Sequence, residues 1–167
     1  ADDVTNSGKL TATSNTTAVS AAIGFTTEGV AVAGNAAWDG GTRATATATG
    51  IDVGGGADRV INEGEIEVTS GAVSDSTAVS VAVAGVAGAV STATADAPAK
   101  AIDGGDGADE ITNDAAGELI SQANATAIGV NVTIAGEGVA VSADAVWEGG
   151  TTATATAKRI DGGRGAD

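Results

Sequence analysis

Ile102-Asp103-Gly104-Gly105-Asp106-Gly107-Ala108-Asp109-Glu110-Ile111-Thr112-Asn113 is the stretch that decides the fold. It recurs as Ile51-Asp52-Val53-Gly54-Gly55-Gly56-Ala57-Asp58-Arg59-Val60-Ile61-Asn62. Its first half returns as Ile160-Asp161-Gly162-Gly163-Arg164-Gly165-Ala166-Asp167, and its second half as Ala1-Asp2-Asp3-Val4-Thr5-Asn6. A signature that returns every fifty to sixty residues or roughly so marks a repeat array. The repeats run 1–56, 57–107 and 108–165, and 166–167 begin a fourth.

Each repeat has the same order of parts. A short apolar strand follows the signature: Lys9-Leu10-Thr11-Ala12-Thr13, Glu65-Ile66-Glu67-Val68-Thr69, or Glu118-Leu119-Ile120. A longer alternating run comes next, as in Thr77-Ala78-Val79-Ser80-Val81-Ala82-Val83. Then come a Gly turn, a second alternating run, an Ala/Thr run and the signature again. The first and third repeats resemble each other more than the second. Both carry Gly-Val-Ala-Val at Gly29 and Gly138, and a Trp-acid-Gly-Gly-Thr run at Trp38 and Trp147. The middle repeat has Ala97-Pro98-Ala99-Lys100 before its signature and no Trp. The order is therefore A-B-A.

Period-two alternation predicts strand, because successive side chains leave a strand on opposite faces. Branching at Cβ in Val, Ile and Thr suits the pleated surface. No segment has a helical period with caps, so the predicted fold is all-β with essentially no helix. Gly supplies the corners. No repeat has an apolar face that it buries alone, so repeats must stack. A parallel β-solenoid is expected, with two coils of about 25 residues per repeat. The rival is a meander of stacked hairpins turning at Glu28-Gly29 and Gly136-Glu137-Gly138. Parallel or antiparallel pairing separates the two.

Composition narrows the function. Hydrophobic residues make up 43% of the chain, but aromatics only 2%, and Met, Cys and His are absent. Ala and Val fill only a thin, flat interior. The net charge of −15 repels phosphates and anionic lipid, so nucleic acid is excluded as a partner. No apolar run is long enough to span a bilayer, so membrane insertion is not expected. Without His or Cys the commonest general base and thiol nucleophile are missing, and no catalytic set is visible. The chain is not expected to be an enzyme.

Gly104-Gly105-Asp106-Gly107-Ala108-Asp109-Glu110-Ile111 resembles the nonapeptide GGxGxDxUx of bacterial RTX proteins. The resemblance implies Ca²⁺ held between turns by Asp103, Asp106 and Asp109, with Asp52, Asp58, Asp161 and Asp167 as counterparts. Family nonapeptides come in tandem, whereas here the motif comes once per repeat. With two coils per repeat, copies would lie roughly 10 Å apart, beyond the reach of one ion. The first copy also has Val53 in place of a Gly. The competing reading is a Gly corner whose Asp caps its own turn.

Three further features have structural readings beside functional ones. Asn6, Asn62 and Asn113 hold one place after the signature, where stacked amides can bond from rung to rung. Thr45, Thr47 and Thr49, Thr152, Thr154 and Thr156, and Thr92 with Thr94 form rows similar to those of ice-binding solenoids; plain outward Thr beside inward Ala explains them equally. Trp38 and Trp147 are expected as plugs over an Ala-lined corner, with a sugar platform as the alternative.

Gly-Ala-Asp-x-Ile-x-Asn repeats followed by Ala/Thr/Val alternation resemble the passenger regions of bacterial autotransporters and large surface adhesins. That resemblance implies export and a structural or adhesive role, as the shaft of an adhesin or the subunit of an extracellular filament. A calcium- or ice-binding module is the alternative. Neither end reads as a polar cap, so contacts are expected with copies of the chain end to end or with further repeats.

Overall fold

The computed structural model describes residues 1–34, 41–144 and 150–165. Trp38, Trp147 and Asp167 lie outside the described residues. Rung one carries β1 (Asp3–Asn6), β2 (Lys9–Gly34), β3 (Thr42–Thr45), β4 (Ala48–Asp52) and β5 (Gly55–Gly56). Rung two carries β6 (Arg59–Asn62), β7 (Glu65–Val90), β8 (Ala93–Asp103) and β9 (Asp106–Gly107). Rung three carries β10 (Glu110–Asn113), β11 (Glu118–Ala143) and β12 (Thr152–Asp161).

The pairing between these strands is parallel. β6 lies between β1 and β10, and β7 between β2 and β11, while β8 pairs β3, β4 and β12. The chain is an all-β parallel stack of the solenoid kind, not a hairpin meander.

One expectation is corrected by the register. Lys9 pairs with Glu65 and Glu65 with Glu118; Asp52 pairs with Asp103 and Asp103 with Asp161. One repeat therefore makes one coil, not two. The long strands run out, turn at Gly29, Gly85 and Gly138, and come back on the opposite side. These three glycines have φ of 96°, 131° and 134°, a region that side chains with a Cβ rarely enter. Sequence copies of the signature thus sit in adjacent rungs, about 4.8 Å apart.

The outgoing and returning legs form two sheets that face each other across a very thin interior. Inward positions of β7 are Ile66, Val68, Ser70, Ala72, Ser74, Ser76, Ala78, Ser80 and Ala82, all buried. Ser70 Oγ donates to the Ala46 carbonyl at 2.6 Å, Ser74 to Thr42 at 2.8 Å, and Ser80 to Ala31 at 2.8 Å. Face-to-face sheets usually pack about 10 Å apart. A hydroxyl that reaches the facing backbone directly needs a much smaller gap, which only Ala, Ser and Gly permit. Ile51, Val60, Ile66, Val68 and Ile102 gather at the signature end and make the only part of the described core built from large side chains.

The two sheets are offset by half a rung. β3 and β4 pack against both β2 and β7, and β8 against both β7 and β11, whereas β12 packs against β11. The same offset accounts for the Ser bonds, which join the returning leg of one rung to the outgoing leg of the next.

Candidate functional site

The signature forms a stacked corner at the wide end of the coil. Gly105 has a φ of 78° and Gly107 a φ of 153°. A Cβ on Gly105 would overlap the Gly54 carbonyl oxygen, and one on Gly107 the Gly56 oxygen. Close rung-to-rung approach is therefore the reason for these glycines, together with their dihedral angles. Val53, which departs from the nonapeptide, stands one residue before the left-handed Gly54 and fills the core at that corner.

The candidate ligands separate into distinct columns. Asp52, Asp103 and Asp161 are in register. Asp52 accepts from the Gly54 amide at 3.0 Å, a carboxylate capping its own turn. Lys100 Nζ lies 2.6 Å from Asp103 Oδ2 and 2.8 Å from Asp161 Oδ2, and Lys158 Nζ lies 3.0 Å from the latter. The hydrogen bond from Lys100, then that from Lys158, lowers the Asp161 pKa to about 2. The same carboxylates raise the pKa of Lys100. These lysines were missed in the sequence, although Lys-x-Ile-Asp occurs at Lys100 and again at Lys158. Spacing of three residues before each column Asp was the available signal.

Asp58 and Asp109 form a second column, and each carboxylate accepts from a backbone amide of the rung before it. Asp58 Oδ1 accepts from the Asp2 amide at 2.6 Å, and the Asp58 amide donates to Asp109 Oδ1 at 2.9 Å. The terminal ammonium is 3.6 Å from the same Asp58 oxygen. The Asp58 side chain is wholly buried, and its Oδ2 has no hydrogen-bond partner among the described residues. Asp106 is exposed and sits between Gly55 and Arg164. Among the described residues no three His, Cys, Asp or Glu side chains gather as a metal-holding group.

The Asn ladder is present as expected. Asn6 Nδ2 donates to Asn62 Oδ1, and Asn62 Nδ2 to Asn113 Oδ1, each at 2.7 Å. Asn62 Nδ2 also donates to the Gly64 carbonyl at 3.0 Å.

The Thr rows lie on the outer face opposite the buried Ala row, but the middle rung interrupts them. Asp96 stands between Thr45 and Thr154, and Pro98 and Lys100 pair with Thr156 and Lys158. Thr92 is buried and does not share the outer face of Thr94.

Compared with known proteins, the chain matches no family model, no curated protein and no solved structure at a significant level.

Proposed function

We propose that the chain is a structural element of an extracellular shaft or filament at a bacterial cell surface, lengthened along its stacking axis by further rungs. One observation carries this reading. Ala95, Ala97 and Ala99 in β8 are at most 1% exposed. Their partners Ala153, Ala155 and Ala157 in β12 are exposed, because β12 overhangs the stack by half a rung. The long outgoing strand of one more rung would cover that row as β11 covers β8, and would add a parallel ladder. Open strand edges are templates for pairing. The axial neighbour is another copy end to end or a further repeat of the same chain. Neither catalysis, nucleic acid nor membrane insertion belongs to this reading.

Ala155→Lys tests it, since a charge in the uncovered row obstructs an incoming strand while leaving rungs one and two untouched. Sedimentation velocity at rising concentration should show the wild type growing and the variant held at its smallest species. Equal growth of the two contradicts the reading, and no growth of the wild type contradicts its end-to-end form.

A calcium-binding role is the second reading, favoured by two observations. The signature copies are in adjacent rungs, which removes the spacing objection, and Asp58 Oδ2 is buried without a hydrogen-bond partner among the described residues. Ca²⁺ takes about six to eight oxygens. Lys100 already occupies Asp103 and Asp161, so Asp58 and Asp109 are the ligands this reading needs. A ligand bound by the folded state alone raises the melting temperature. Melting curves that coincide in millimolar Ca²⁺ and in chelator discard it.

A further inference from the structure

Along the stack, two columns alternate between outer and middle rungs, one in charge and one in size. Asp3, Arg59 and Glu110 form one column. Arg59 Nη1 is 3.8 Å from Asp3 Oδ1, and its Nε is 3.5 Å from Glu110 Oε2. Glu28, Ala84 and Glu137 form another, at the far turn. A third holds Lys9, Glu65 and Glu118, with Lys9 Nζ 2.8 Å from Glu65 and 3.1 Å from Glu67. The middle rung thus places a guanidinium between two carboxylates, and a methyl group between two more.

From these columns we infer that the open edge of the first rung selects its neighbour by charge. It takes a rung of the middle type, with an arginine at the place of Arg59 and a small residue at the place of Ala84. This rests on the axial stacking proposed above. If a third-rung edge were seated against the first rung instead, Glu110 would meet Asp3 and Glu137 would meet Glu28. Glu118 would meet Lys9, a single favourable pair against two unfavourable ones. A middle-type rung in that place brings arginine to Asp3, acid to Lys9 and a methyl group to Glu28. Like charges directly opposite on neighbouring strands destabilise the pair, and opposite charges stabilise it. The single ion pairs are exposed and weak in themselves. Selection depends on the difference between two junctions, where the terms add. The preferred order along a fibre is therefore strict alternation, and two outer rungs placed together are the disfavoured junction.

Inverting the column tests this without breaking its internal pairing. The variant Asp3→Arg, Arg59→Glu, Glu110→Arg, Glu137→Ala keeps alternating charges inside the stack and gives its third rung a middle-type edge. Wild type, variant and an equimolar mixture are compared by sedimentation velocity in low salt at equal total concentration. The mixture should associate roughly tenfold more tightly than the wild type, against which two junction pairs change, and roughly a few-fold more tightly than the variant, against which one changes. High salt should erase the difference, since the Debye length falls to about 3 Å at 1 M. If each protein self-associates as readily as the mixture, charge selection is overturned and axial stacking stands. If no combination associates, both fail. Should the inverted variant not fold by circular dichroism, Glu137→Ala alone decides. It should self-associate a few-fold more tightly than wild type in low salt, and equal association overturns the inference.

Discussion

Asn62 carries more of the corner than any other polar side chain in the middle rung. It is fully buried, accepts from Asn6 and donates to Asn113 and Gly64. Removing it leaves the Asn113 acceptor and the Asn6 donor without their partner. Asn62→Ala should cost about 2–3 kcal/mol, and Asn6→Ala at the open edge about 1 kcal/mol. Urea unfolding midpoints of the two variants check the order. Asp161 gives a prediction in pH. Its pKa in the folded protein is lowered from 3.8 to about 2 by Lys100 and Lys158. A depressed carboxylate stabilises the fold above its unfolded pKa, and that contribution is lost as pH falls from 3.8 toward 2. Asp161→Asn should flatten that part of the stability curve, seen as a smaller drop in urea midpoint between about pH 4.5 and about pH 2.5. The Asn column was legible because its residues recur at one place in the signature. The calcium candidates were less so. Identical Asp residues in the motif meet different partners, and the deciding lysines lie outside the nonapeptide.

Strands were legible as strands, but their length was not. Alternation in Glu65–Val90 correctly marks Ile66, Val68 and the inward Ala and Ser as one face. Strands usually run about 3–10 residues, so a 26-residue element invites division into two coils. Nothing but Gly85 marks its turn, because Ala and Ser on both legs let the sheets close without a wider corner. The same closeness predicts intolerance of bulk. Ala72 is 1% exposed and faces Ala44, Ala46, Ala95 and Ala97. Ala72→Leu should destabilise by about 3 kcal/mol or more, since the facing backbone has no room to yield. Val73, the neighbour on the outer face, should accept Thr within about 0.5 kcal/mol. Thermal unfolding of both variants separates a thin interior from an ordinary one, in which the two changes would differ little.

At the scale of the whole molecule, the half-rung offset shapes both faces along the stacking axis. It leaves β2 overhanging on one side and β12 on the other, each a ledge shaped for a further coil. Small residues make the coil thin, close glycine contacts fix the rung spacing, and charge columns order the rungs. Thinness and fixed rung spacing favour extension along one axis over enlargement of a core, while the charge columns make the third-to-first junction weaker than an alternating one. Small-angle X-ray scattering across a concentration series measures that directly. The predicted result is a cross-sectional radius that stays constant while the length grows in steps of roughly 14 Å, three rungs of the usual strand spacing. A compact, monodisperse particle whose dimensions do not change up to high concentration would contradict the account.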